Sequence, residues 1–187
     1  SGGLSDGFLV KLTTAGAVSW TRLIGTSAGD GAAALVADSA GGVYVAGGAG
    51  GTLAGQSYGG GSQDAFVARF DANGNRLWAR LLGGSDWDSA TALAKGSDGS
   101  IYLAGSTRSP VFAGQINAGL RDAFLAKFDA NGNLIWTRLL GSPVDDLAEA
   151  IAIGADGGIY VSGETGAGVW GGQITMCPPS SRASKRR

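Results

Sequence analysis

The feature that most constrains this chain is that it repeats itself every 58 residues. Asp6-Gly7-Phe8-Leu9-Val10-Lys11-Leu12 returns as Asp64-Ala65-Phe66-Val67-Ala68-Arg69-Phe70 and again as Asp122-Ala123-Phe124-Leu125-Ala126-Lys127-Phe128. Trp20, Trp78 and Trp136 keep the same register, as do Gly25, Gly83 and Gly141; Asp30, Asp88 and Asp146; and Tyr44, Tyr102 and Tyr160. A fixed period of this length marks a supersecondary unit that cannot bury its apolar faces alone and stacks on copies of itself.

Each unit reads as four short strands. In the middle copy these are Ser89–Lys95, Ser100–Gly105, Asp122–Phe128 and Leu134–Leu140. The runs are short and rich in β-branched or aromatic residues, which argues against helix. Ser97-Asp98-Gly99 joins the first pair and Asp129-Ala130-Asn131-Gly132-Asn133 joins the second. Both carry hairpin-turn chemistry, with Gly where a positive φ is needed. The unit is therefore expected to be a four-stranded antiparallel meander.

The side-chain pattern predicts how meanders pack. In the third strand Phe124, Ala126 and Phe128 point one way and Ala123, Leu125 and Lys127 the other, so both faces carry apolar residues. A sheet covered on both faces by like neighbours fits an all-β fold of β-propeller blades. The first strand, Ala90-Thr91-Ala92-Leu93-Ala94, is nearly all small, as convergence at a propeller axis requires. Trp78 and Trp136 in the fourth strand would fill the wide outer rim.

At this point the residues resemble a known family. Asp64 to Gly74, followed by Leu77-Trp78-Ala79-Arg80-Leu81-Leu82-Gly83-Gly84 and then Ile101-Tyr102-Leu103-Ala104-Gly105-Ser106-Thr107, looks like the SBBP repeat of bacterial β-propellers, with a strand order similar to the NHL repeat. The resemblance covers roughly Asp6 to Ile174. It implies a secreted or surface-exposed bacterial protein. It supplies no catalytic set to carry over.

Within residues 1–175 the sequence divides into a half-blade at 6–24, blades at 32–82 and 89–140, and a half-blade at 148–165. This reads as an incomplete propeller, since closed rings have four or more blades. Exposed blade faces would favour self-association, and two chains would supply six blades with half-blades pairing across two junctions. Residues 176–187 leave the repeat grammar and are expected to form a disordered tail. It reads as a truncation scar, or alternatively as a basic tail touching an anionic surface.

Charge is uneven along the chain. Four of the 14 Lys+Arg residues lie in 182–187, so the other 10 face all 15 Asp+Glu residues. The repeat segment is thus mildly acidic, which argues against nucleic acid as a partner. No apolar run approaches the roughly 20 residues of a membrane-spanning helix. The lone Cys177 rules out an intramolecular disulfide.

The chain contains no His, so neither a Ser-His-Asp nor a Cys-His arrangement can form. Asp86 with Asp88, or Asp145 with Asp146, could form carboxylate pairs, but Asp30, Asp88 and Asp146 recur once per copy. Recurrence points to a structural role, accepting backbone N–H bonds in the loop before the first strand. Asp71-Ala72-Asn73-Gly74-Asn75 resembles the opening of a calcium loop, yet its Gly falls one place early and Leu82 stands at the twelfth position. No catalytic residue, metal ligand or cofactor is therefore assigned.

The long connections Ala49–Gln63 and Thr107–Arg121 share one end of the meander with Gly83–Asp88. They differ most between copies and carry Tyr58, Trp87, Arg108, Phe112 and Arg121. Loop-rich ends of rigid scaffolds commonly bind, so these five residues form the candidate binding face. The competing role for Phe112 and Tyr58 is to plug gaps between blades. The leading expectation is a non-catalytic binding or scaffold module with a protein or glycan partner. The alternatives are a fragment of a propeller enzyme whose catalytic residues lie elsewhere, or a gene remnant.

Overall fold

The structure is a computed structural model that describes residues 3–166, and the backbone of 169–170 and 173–174. The tail expected at 176–187 lies outside the described residues. Every described element is a strand. In chain order they are β1 (Gly7–Leu12), β2 (Val18–Ile24), β3 (Asp30–Ala37), β4 (Val43–Ala49), β5 (Asp64–Phe70), β6 (Arg76–Leu82), β7 (Asp88–Lys95) and β8 (Ile101–Thr107). There follow β9 (Val111–Phe112), β10 (Gln115–Ile116), β11 (Asp122–Phe128), β12 (Leu134–Leu140), β13 (Asp146–Ile153), β14 (Ile159–Thr165), β15 (Val169–Trp170) and β16 (Gln173–Ile174).

The strands assemble as antiparallel meanders. One four-stranded sheet has the order β3-β4-β5-β6 and a second the order β7-β8-β11-β12. Before them lies the pair β1-β2, and after them the pair β13-β14. The expected third and fourth strands of the middle copy are observed over the same residues, β11 and β12. The second strand runs two residues further than expected, to Thr107. The first strand of each copy bulges at one place, where the register shifts between Ala32 and Ala34, Ala90 and Ala92, and Ala148 and Ala150. One feature was not legible in the sequence pattern: a small hairpin, β9-β10, folds out of the long loop between β8 and β11.

Consecutive sheets pack face to face. Phe124, Ala126 and Phe128 of β11 meet Tyr44, Ala65 and Val67 of the preceding sheet in one core. Ala123 and Leu125, pointing the other way, meet Ala148 of the following pair in a second core. A third core joins Leu9 and Ile24 to Phe66, Ala68 and Phe70. The period-two alternation of β5 and β11 is thus apolar on both faces because both faces are covered. The small first strands approach closely: the Thr91 hydroxyl on β7 donates to the Ala148 carbonyl on β13 at 2.6 Å.

At the far edge, fourth-strand tryptophans hold the turn of the next sheet. Trp20 Nε1 and Lys11 Nζ both donate to the carbonyl oxygen of Ala72, each at 3.0 Å. Trp78 Nε1 and Arg69 repeat this on Ala130, each at 3.2 Å. The turn glycines Gly74 and Gly132 adopt φ of 77° and 80°. A Cβ at either would lie within 2.8 Å of the indole above it, so glycine is required there by conformation and by contact.

Candidate binding face

Buried aspartates build the end of the molecule from which the long loops emerge. Asp30, Asp88 and Asp146 open the first strands and turn back into the loop before them. Asp30 accepts the Thr26 N–H at 2.6 Å, Asp88 the Gly84 N–H at 2.7 Å, and Asp146 the Ser142 N–H at 2.6 Å. Asp88 also accepts from the hydroxyls of Thr107 and Ser109. These residues are the loop brackets that their recurrence implied. Their own N–H groups tie to the sheet before: Asp30 to Ser5 O at 2.9 Å, Asp88 to Gln63 O at 2.8 Å and Asp146 to Arg121 O at 2.7 Å.

At two of these junctions a pair of carboxylates interacts, Asp64 with Asp88 and Asp122 with Asp146. Asp64 opens β5 and is 1% exposed, while Asp88 is fully buried. Burial pushes the Asp64 carboxyl up to about 6; the Gly59 N–H opposes this and the charge of Asp88 adds to it. Burial likewise raises Asp88, against hydrogen bonds from Thr107, Gly84 and Ser109. Burial raises Asp122 as well, opposed by the Ala118 N–H and reinforced by Asp146. One oxygen of Asp64 and one of Asp122 is buried without a hydrogen-bond partner. The charge of Asp86 also raises Asp88, while Asp86 itself is exposed and accepts the Trp87 N–H at 2.6 Å. Asp145 is drawn aside by Arg121.

The loop shaped like a calcium motif is closed by its own carboxylate. Asp71 accepts the N–H groups of Asn73 and Asn75 and the Asn75 side-chain amide at 2.8–2.9 Å. Asp129 does the same with Asn131 and Asn133. The side-chain amides of Asn75 and Asn133 lead in holding both carboxyls below their ordinary range. Both motifs are hairpin turns.

The five candidate residues divide. Phe112 corrects the expectation of a common exposed face. It is fully buried and stacks on Phe124 with ring centroids 4.6 Å apart. It fills the gap between the two four-stranded sheets. Arg121 is spent on a tie between sheets, with Nε 3.2 Å from Asp145 Oδ1. Tyr58 is half-buried and donates to the Gly61 carbonyl at 2.9 Å; its loop rests on the Gly84–Asp86 backbone.

Arg108 is exposed, Trp87 is half-buried, and the two belong together. The Arg108 guanidinium lies 5.7 Å from the Trp87 ring centroid. Backbone and side-chain bonds hold both: Arg108 N donates to Trp87 O at 2.8 Å, and Asp86 N donates to Ser109 Oγ at 3.0 Å. At the equivalent positions the other copies carry Gly29 and Asp145 in place of Trp87, and Gly50 and Gly166 in place of Arg108. The pair is thus particular to one copy, on a frame common to all.

Sequence reasoning missed a turn hidden inside the variable loops. Ala54 and Ala113 both have positive φ, 54° and 48°, each followed by a glycine that does too. The residues before them, Leu53 and Phe112, are both buried plugs. The shared signal is Leu53-Ala54-Gly55-Gln56 against Phe112-Ala113-Gly114-Gln115. It is offset by 59 residues, so a search at 58 passes over it. Gln115 then pins its hairpin to β12, donating to Thr137 Oγ1 at 2.7 Å and accepting from Leu139 N at 3.2 Å.

Comparison with known proteins adds a partial likeness. No protein-family model matches the chain. Regulatory protein FlaEY of Caulobacter vibrioides is 33% identical over 112 residues, which is 56% of this chain and 12% of that protein. The chain therefore matches a small part of a much longer relative.

Proposed function

We propose that the stacked meanders are blades of a β-propeller of the SBBP type. The chain serves as a non-catalytic binding or scaffold module of a larger extracellular or cell-surface bacterial protein. The observation that carries this reading is the Trp87–Arg108 pair, a half-buried indole beside an exposed guanidinium on loops that a shared frame presents. Asp64 and Asp88 are 1% and 0% exposed, which supports a structural role for them.

The favoured partner class is protein. Trp and Arg are enriched at energetic centres of protein interfaces. One face of the Trp87 ring already carries the Arg108 guanidinium, which leaves less of it free to stack on a sugar. The test is panning of a random-peptide phage library against the chain, followed by binding of enriched peptides to a Trp87→Ala, Arg108→Ala double variant. Peptides that lose at least about tenfold in affinity, or about 1.4 kcal/mol, support the reading. Peptides that bind both forms alike, or a glycan array that yields the specific hits instead, overturn it.

A further inference from the structure

Two turns join a reactive dipeptide to a guard from the neighbouring sheet. The β5–β6 turn contains Asn73-Gly74 and the β11–β12 turn contains Asn131-Gly132. Asparagine before glycine is the pair most prone to spontaneous loss of the side-chain amide, because glycine puts no side chain in the way of ring closure. The glycine backbone nitrogen attacks the asparagine Cγ. An N–Cγ bond forms, the Cγ–Nδ2 bond breaks, and ammonia leaves with the glycine proton. Water then opens the cyclic imide at one of its two carbonyls, giving aspartate or isoaspartate. Nothing is oxidised or reduced.

Both asparagines are exposed and both glycines are buried. The attacking nitrogens are engaged: Gly74 N donates to Asp71 O at 3.0 Å and Gly132 N to Asp129 O at 3.1 Å. What holds each glycine in that seat comes from the sheet before. A Cβ on Gly74 would lie 2.8 Å from Trp20 Cδ2, and one on Gly132 would lie 2.7 Å from Trp78 Cδ2, so each indole rests on its turn. The arginine two places after each indole grips the same turn. Arg22 Nε donates to Gly74 O at 2.6 Å and Nη2 to Asn73 O at 3.0 Å, and Arg80 Nη2 reaches Asn131 O at 3.5 Å.

We infer that Asn73 and Asn131 are dormant modification sites, each kept from imide formation by the tryptophan of the preceding sheet and opened when the two sheets part.

The reaction needs a glycine nitrogen that can lose its proton and swing onto the side chain. A nitrogen that donates to a carbonyl beneath an indole does neither. The carboxylates of Asp71 and Asp129 reinforce this. Each accepts two backbone N–H groups of its turn at 2.8–2.9 Å, and a negative charge there disfavours a second on the glycine nitrogen. Conversion therefore proceeds from the transiently opened turn, at a rate set by the open population. The product changes the fold. Isoaspartate carries the main chain through Cβ and adds an atom to turns closed by Asp71 N to Asn75 O and Asp129 N to Asn133 O, each at 2.9 Å. The seat under the indole is lost, so a passing separation of two sheets becomes a permanent one.

The experiment incubates the full chain in mildly alkaline buffer, folded and unfolded in urea, and follows each asparagine by peptide mapping with mass spectrometry. The variants are Trp78→Ala, Trp78→Phe and Trp20→Ala. Asn73 is the internal reference for the Trp78 variants, and Asn131 is the reference for Trp20→Ala. In the folded parent both asparagines should convert at least about tenfold more slowly than in urea. Trp78→Ala should speed Asn131 at least about fivefold relative to Asn73, and Trp20→Ala should do the reverse. Trp78→Phe keeps a ring over the turn and loses the bond to Ala130, so Asn131 should gain at least about twofold over Asn73. If an alanine variant unfolds, as circular dichroism shows, the Trp78→Phe ratio decides. Equal rates in the folded parent and in urea overturn the inference. So does a folded tryptophan variant that leaves its own asparagine protected, or one that frees both asparagines alike.

Discussion

Trp78 donates its indole N–H to the carbonyl of Ala130, 52 residues further along, and lies on Gly132 of the same turn. The contact joins the outer strand of one sheet to the turn of the next. Trp20 makes it one repeat earlier with Ala72 and Gly74. A single indole thus couples two units that have no covalent proximity.

Replacing that indole should loosen the coupling in steps. Trp78→Ala removes partly buried ring surface and should cost about 2–4 kcal/mol. Trp78→Phe keeps most of the packing and loses the hydrogen bond, for about 1 kcal/mol. Gly132→Ala combines a positive φ with a clash against the ring, so it should cost more than about 1 kcal/mol. Urea unfolding of the three variants checks the order. A Gly132→Ala protein as stable as the parent would show that the indole does not press on this turn.

Asp64 makes stability depend on pH in an unusual direction for a carboxylate. Its pKa is raised to about 6 in the folded chain, above its ordinary 3.8. The folded state therefore holds a proton that the unfolded state has released. Its contribution is fully present below about pH 4 and is lost as pH rises through about 6, a swing of about 2–3 kcal/mol. Asp71, Asp98 and Asp129, held low by their turns, act in the opposite sense and weaken the fold only as pH falls through and below the ordinary carboxylate range. Asp64→Asn should flatten the stability profile between about pH 4 and 7, as read from urea midpoints across that window. An unchanged slope would mean that Asp64 is ionised in the fold.

Phe112 and Arg108 are four residues apart in one loop and should behave oppositely. Phe112→Ala opens a cavity beside Phe124 and should cost about 3–5 kcal/mol. Arg108→Ala removes an exposed cation–π contact worth about 0.5–1 kcal/mol. Thermal or urea unfolding separates them. Equal losses would place Arg108 in the framework rather than on the binding face.

Arg69 bonds Asp38 at 3.0 Å, covers Tyr44 and reaches Ala130. Burial pushes the Asp38 carboxyl up, but the Gly42 N–H, Arg69 and the Ala40 N–H outweigh it and hold the carboxyl low. Lys11 and Lys127 stand at the same position in the other copies. Arg69→Lys should therefore cost under about 1 kcal/mol. Arg69→Ala strands the Asp38 carboxylate and should cost about 1–3 kcal/mol. A double-mutant cycle with Asp38→Ala measures the coupling.

Local chemistry alone specified a good deal of this protein. The 58-residue period set the unit, and period-two alternation with Asn-Gly and Asp-Gly turns set antiparallel meanders. Apolar residues on both faces of Asp64–Phe70 and Asp122–Phe128 required cover on both sides, and the cores supply it. The recurrence of Asp30, Asp88 and Asp146 was enough to mark them as loop brackets, because one group per unit serves the unit.

Only the tertiary structure decided which loop residues face solvent. Phe112 and Trp87 look alike as aromatics in variable loops, yet one is fully buried between two sheets and the other is only half-buried, beside the exposed Arg108. The difference lies in where a loop crosses the gap between neighbours, a distance between residues far apart in the chain. The nearness of Asp64 to Asp88 is of the same kind. It arises because Asp88 N–H bonds the Gln63 carbonyl of the preceding sheet, and burial then acts on both acids at once. Sequence periodicity determines which atoms each unit offers; the angle and spacing between units determine which of them meet.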